Sequence, residues 1–213
     1  MLKKLKWLGF LRKNGKVGTR NYNVIISTIA LTDRVAQQIC DGNKDISCVI
    51  GSFSRGLQKK DEKQIDLFLN SVISHPNVGC ALILTHDKYT KNYLNKTLKT
   101  DIPIKFLSLM ECNGRQEAID LGKKYIKQLS KNNFNLKRQE VNISNLVLAL
   151  ECGGSDVSSS ICSNPIIGKF TDFLIKAGGT AIVSETAEFI GAENVFNYRC
   201  SSNETKEKIM SYI

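Results

Sequence analysis

The residues whose types and spacing best suit chemistry are Glu151-Cys152-Gly153-Gly154-Ser155-Asp156, acid, thiol and hydroxyl groups interrupted by two glycines. Adjacent glycines permit positive φ and let a ligand approach the main chain closely. Ser155 and Asp156 offer oxygen ligands or a helix cap. The preceding run, Leu146-Val147-Leu148-Ala149-Leu150, is continuously apolar. That pattern predicts a strand buried on both faces, because a half-exposed strand alternates apolar and polar residues. The turn therefore falls beyond the carboxyl end of a strand, where ligands sit in open α/β sheets. Ser184-Glu185-Thr186, after a strand predicted over 180–183, and Thr85-His86-Asp87, after one predicted over 78–84, are polar strand ends of the same kind.

The elements that must position these groups follow from periodicity. Asn14-Gly15 marks a tight hairpin turn. Strands are predicted over 24–29, 48–51, 78–84 and 104–109, and helices over about 33–40, 65–73, 91–99 and 118–129. Ala118, Leu121, Tyr125, Ile126 and Leu129 mark one apolar face of the last of these helices. Strand and helix alternate throughout. The expectation is an α/β fold with a Rossmann-like, doubly wound, mainly parallel sheet over 1–135, followed over 136–213 by the beginning of a second α/β domain. The polar, Asn-rich segment 131–144 reads as the linker. Beyond it a helix opens near Asn164-Pro165, buries Ile166, Phe170, Phe173, Leu174 and Ala177 on one face, and ends at Gly178-Gly179. The residues 187–213 read as short helices.

Composition narrows the function classes. A content of 42% hydrophobic and 23% charged residues is that of a folded soluble domain and excludes disordered and collagen-like classes. MLKKLKWLGF lacks the apolar core of a signal peptide, and no apolar run reaches membrane-spanning length. A cytoplasmic protein with no membrane partner is expected. The 7 cysteines show no CxxC spacing, which points to reduced, mostly packed thiols and away from a zinc ribbon. The net charge of +10 is spread over dispersed lysines without interleaved aromatics. It reads as a solvated basic surface that helps attract an anionic substrate rather than nucleic acid. No GxGxxG follows the first strand, which argues against a nicotinamide oxidoreductase.

Three stretches carry a family resemblance. GFLRKNGKVGTRNYNVIIST (9–28) resembles the opening of the large domain of altronate and galactarate dehydratases, shared by the sulfolactate sulfo-lyase large subunit. LALECGGSD, SNPIIGKFTDFLIKAGGTAIVSET and AEFIGAENVF resemble the start of that family's C-terminal domain, and HPNVGCALIL is a weaker match between them. The resemblance implies a hydro-lyase that removes water, or sulfite, from a small anionic hydroxy acid to give a 2-keto acid. It also implies a divalent metal, commonly iron(II), which would polarise carboxylate and hydroxyl as the neighbouring proton leaves.

On that resemblance Arg20 and Asn21 contact the substrate carboxylate, a guanidinium matching it in bidentate fashion. Gly153, Gly154, Ser155 and Asp156 cradle substrate or metal, Glu185 does acid-base work or binds metal, and Cys152 is a metal ligand. Each has a structural alternative: Arg20 pairs with a surface carboxylate, Glu185 caps the helix after Thr186, and Cys152 packs in the core. The chain departs from the family at three strand ends. Ala30-Leu31-Thr32 stands where the family has Asn-Cys-Ser. Gly51-Ser52-Phe53-Ser54-Arg55-Gly56 replaces a His-Gly and Gly-Cys-Gly segment, and Thr85-His86-Asp87 replaces Gly-Cys-Glu. His86 and Asp87 are either a substitute pair or an exposed loop without a role, and His75 reads as a helix-end residue. Family members continue past the equivalent of Ile213. That implies a second chain supplying the remainder, a shortened homologue or a cut chain, alongside a homo-oligomer. A non-catalytic subunit that keeps the fold is thus the alternative to an enzyme.

Overall fold

The computed structural model describes residues 5–51, 58–133 and 135–213. They form two compact units, Trp7–Val141 and Asn142–Ile213, with Leu5 and Lys6 belonging to the second. The strand-end segment Ser52 to Gly56 falls outside the described residues.

In the first unit, β1 (Lys6–Leu11) and β2 (Val17–Gly18) make an antiparallel hairpin around Asn14-Gly15. Gly15 sits at φ 80°, and Arg12 N donates to Lys16 O at 2.8 Å to close the turn. The chain then alternates through β3 (Tyr22–Ser27), α1 (Ala30–Cys40), β4 (Ile46–Val49), α2 (Lys59–Ile73), β5 (Val78–Thr85), α3 (Lys88–Thr97), β6 (Ile104–Ser108) and α4 (Arg115–Asn133). The four strands from β3 to β6 form one sheet in the order β4-β3-β5-β6, every pair parallel. This is the expected α/β architecture with a parallel sheet.

Side-chain alternation explains why the sheet needs helices on both faces. Ile25 of β3 and Cys80, Leu82 and Leu84 of β5 pack with Val35, Ala36 and Ile39 of α1 and Ala118, Ile119, Ile126 and Leu129 of α4. Their neighbours along the strands, Val24, Ile26, Ala81 and Ile83, pack with Leu69 and Ile73 of α2, Leu94 of α3 and Leu98 just after it. All eight residues of β5 are buried.

The segment 131–144, expected as a linker, instead carries the end of α4 and a strand, β7 (Gln139–Asn142), in the order β2-β1-β7. Backbone pairing needs no apolar side chains. A polar, mostly exposed edge strand is therefore invisible to hydrophobic periodicity.

The second unit is built on β8 (Val147–Leu150), α5 (Asn164–Ala177) and β9 (Thr180–Val183), a parallel pair with a helical crossover. α6 (Glu193–Arg199) and α7 (Asn203–Met210) follow. Pro165 lies in the first turn of α5, and Gly178 at φ 97° ends it as expected, with Gly179 N donating to Leu174 O at 2.9 Å. Leu174 and Ala177 are buried, but Ile166, Phe170 and Phe173 of the same face remain exposed. The strand predicted to be buried on both faces is not: Val147 is 56% exposed and Ile182, in the neighbouring strand, 52%. A two-stranded sheet crossed by one helix has a covered face and an open one, and apolar sequence alone does not reveal which neighbours are present.

Candidate functional site

The carboxyl ends of β8 and β9 bring together residues 33 positions apart. Ser184 Oγ donates to Leu150 O at 3.0 Å, which ties the two strand ends. One residue further, Glu185 Oε2 accepts from Cys152 N at 2.7 Å. Glu185 makes no side-chain capping bond to the short helical turn Thr186–Phe189, so its carboxylate is held toward the 151–156 turn instead. Among the described residues no donor reaches its other oxygen.

Neither Gly153 nor Gly154 is at positive φ, contrary to one sequence reason for them. A Cβ built on either would meet nothing within 4 Å. Neither backbone strain nor packing therefore requires these glycines. What they leave is a bare main chain beside a carboxylate, where a ligand can approach closely. Cys152 Sγ donates to Gly154 O at 3.5 Å, so the half-buried thiol is used to shape the turn. Asp156 Oδ1 accepts from Ser158 N at 2.7 Å and from Ser158 Oγ at 2.5 Å. These bonds hold its carboxyl below the usual carboxylate range. Ser155 is exposed near the end of the turn. Cys152, Gly153, Gly154, Ser155, Asp156 and Glu185 thus line one strand-end neighbourhood.

Arg20 and Asn21 belong to the other unit, at the amino end of β3. Arg20 is exposed, its Nη1 donating to Thr19 O at 3.1 Å, and its guanidinium is open to an anion. Asn21 is bound into the fold: it accepts from Arg12 Nη1 at 2.8 Å and donates to Asn133 O at 3.0 Å. The residue that organises this end is Asn77, between α2 and β5. Its Oδ1 accepts from Thr19 N at 2.7 Å and Arg20 N at 3.1 Å, and its O accepts from Tyr22 N at 2.7 Å. Arg12 Nε meanwhile donates to Pro76 O at 2.7 Å, and burial lowers its pKa from the ordinary value. At Gly79 a Cβ would run into the side-chain amides of Asn21 and Asn133, so a larger residue requires these hydrogen-bonded side chains to move. The segments GTRN and HPNVG, more than fifty residues apart, are one hydrogen-bonded knot. Their presence together was the available signal.

His75 follows α2, as expected, and its Nδ1 accepts from Asn77 N at 3.2 Å. His86 is not the exposed loop histidine that its sequence context suggested: it is half-buried, and its Nδ1 is buried without a hydrogen-bond partner among the described residues. Asp87 caps α3, accepting from Thr90 N at 2.8 Å.

Among the described residues, no three of His, Cys, Asp and Glu gather in a way that would hold a metal ion. At the ends of β8 and β9 the Cys152 thiol and backbone N–H are already engaged, by Gly154 O and Glu185 Oε2. The described side chains therefore do not by themselves fit the implied iron(II). No described helix is long and apolar enough to cross a membrane.

Comparison with known proteins agrees with this division. Residues 9–133 match the family described as D-galactarate dehydratase/altronate hydrolase, second domain. Residues 143–213 match that described as D-galactarate/altronate dehydratase, C-terminal. Altronate dehydratase of Escherichia coli (strain K12) is 29% identical over 216 residues, covering 96% of this chain and 43% of the relative. Altronate dehydratase of Bacillus subtilis (strain 168) is 28% identical, covering 96% and 44%. The (2R)-sulfolactate sulfo-lyase subunit beta of Chromohalobacter salexigens is 24% identical, covering 99% and 54%. The chain spans about half the length of the curated relatives it matches.

Proposed function

The chain belongs to the D-galactarate/altronate dehydratase family, and on that premise we propose that it serves the dehydration of a small anionic hydroxy acid, a sugar acid, to a 2-keto acid. In such a reaction a base removes the proton beside the carboxylate, the neighbouring hydroxyl leaves as water on receiving a proton, and the resulting enol becomes the ketone. Glu185 is the acid-base group of this reading. The observation that carries it is the fixed Glu185 carboxylate beside the open Gly153-Gly154 main chain at the ends of β8 and β9. Backbone N–H groups of that turn would receive a substrate oxygen, and in the other unit the exposed Arg20 guanidinium is by itself suited to a carboxylate. Iron(II) is part of the proposal by family only, and no step is assigned to it. A cytoplasmic location and a homo-oligomeric state belong to the same reading.

One observation favours a second reading, a binding or partner subunit without turnover. The unit Asn142–Ile213 leaves Val147, Ile166, Phe170 and Ile182 exposed, a surface suited to covering by further polypeptide. A second chain supplying that cover is the partner this reading needs.

Anaerobic purification with iron(II), metal analysis and a 2-keto-acid assay on altronate, galactarate and sulfolactate test the first reading. Turnover that falls about 100-fold in Glu185→Gln, as removal of a general acid or base does, supports it. Turnover unchanged by that substitution removes Glu185 from the chemistry, and absence of turnover on all three acids leaves the partner-subunit reading.

A further inference from the structure

The order β4-β3-β5-β6 makes the connections diverge at β3 and β5. From β3 the chain passes through α1 to β4 on one side, then returns through α2 to β5 on the other. A divergence of this kind leaves a crevice beyond the strands' carboxyl ends, the usual place for a ligand in such sheets. Here the crevice is a cavity of about 330 Å³ lined by Thr28 after β3, His86 after β5, Glu62 and Asp66 of α2, and Tyr93 of α3. Its volume lies at the small end of the range for ligand sites.

The described lining is acidic rather than basic. Glu62, Asp66 and Asp87 are acidic, and among the described residues no Lys or Arg lines the cavity, although the protein's net charge is +10. Helix N-termini ordinarily favour anions. Of the helices that begin beside the cavity, α3 is capped by Asp87 and α2 by the bonds of Gln58 and Asp61, whereas α1, which starts after the lining residue Ile29, has no side-chain cap. Ile65, Leu69 and Leu94 add apolar wall, and the Tyr89 and Tyr93 rings offer faces that attract cations. Tyr93 Oη donates to Asp66 Oδ2 at 2.5 Å, which pushes the phenol up to about 12 and orients the carboxylate. The unpartnered Nδ1 of His86 is a buried polar group that packing alone does not account for.

We propose that this cavity binds a small organic ammonium ligand, its charged group held by Glu62 and Asp66 and its apolar body against Ile65, Leu69 and the tyrosine rings. The site lies wholly within Trp7–Val141 and is independent of the Glu185 reading.

The chain has 2 histidines, so their ring signals report location directly. The full protein is titrated by NMR with putrescine and tyramine and, in parallel, with succinate and hydroxyphenylacetate. The amines are expected to shift the His86 signals, identified by their loss in His86→Gln, and to leave those of His75 in place. They should bind about tenfold tighter than the matching acids. Asp66→Asn, whose amide oxygen still accepts from Tyr93, and Glu62→Gln should each weaken the amines about fivefold; Glu188→Gln, in the other unit, should not. Acids binding as tightly as amines, His86 signals that stay in place, or amine affinity indifferent to both substitutions would overturn the proposal.

Discussion

The sheet of β3 to β6 and the pair β8–β9 are written in the same apolar alphabet, yet they are buried to different degrees. In β5 the run VGCALILT is inaccessible along its whole length, because α1 and α4 cover one face and α2 and α3 the other. In β8 the run VLAL alternates between exposed and half-buried residues, beside a single crossover helix. The contrast teaches that an uninterrupted apolar strand records what the chain is built to be covered by, while its burial depends on how many covering elements are present. Parallel strands in general are covered on both faces. The chain spans about half the length of the curated relatives it matches.

The comparison breaks or sharpens through substitutions in the two sheets. Leu82→Ala should destabilise the first unit by about 3 kcal/mol, because the side chain is fully buried and leaves a cavity. Ile182→Ala, half in solvent already, should cost less than about 1 kcal/mol in denaturant unfolding of the chain. Equal losses at the two positions would mean that β9 is covered in solution, and the contrast would vanish. Next in size, Asn77→Ala removes an acceptor shared by Thr19 and Arg20 and should cost about 2 kcal/mol. A loss confined to the first unit, followed by hydrogen exchange of the Tyr22–Ser27 amides, would confirm the knot as scaffold.

The smallest effect concerns Asp87. The Thr90 backbone N–H holds its carboxyl below the ordinary range. A depressed folded-state pKa contributes stability that is present above the unfolded value and lost as pH falls through the folded one. Asp87→Ala should therefore cost about 1 kcal/mol at neutral pH, as loss of a helix N-cap does. The gap between variant and parent should close below about pH 4. A gap that stays constant into acid would show that the cap, rather than its charge, is what matters.

Much of the fold was legible because it rests on short-range patterns. The Asn14-Gly15 turn, the Gly178 stop of α5 and the alternation of strand and helix all follow from a few adjacent residues, and each is where periodicity and turn chemistry put it. β7 was not legible, since an exposed edge strand carries no apolar signature. The candidate site was legible in part: Glu185 and the CGGSD turn announce themselves as polar residues after apolar runs. That they face one another, through Cys152 N, comes from the parallel pairing of β8 with β9.

By itself the sequence determined the alternating strands and helices, the family and which strand ends carry reactive groups, because those depend on neighbours along the chain. The tertiary structure alone decided that Asn77 shapes the turn of Arg20, that Arg12 rather than Arg20 is the embedded arginine, and that His86 looks out from a half-buried position. It also gathered Thr28, Asp66, His86 and Tyr93 around one acidic cavity. These are consequences of strand order, which brings residues tens of positions apart to the same sheet edge, and strand order is settled by packing two faces at once rather than by any local pattern.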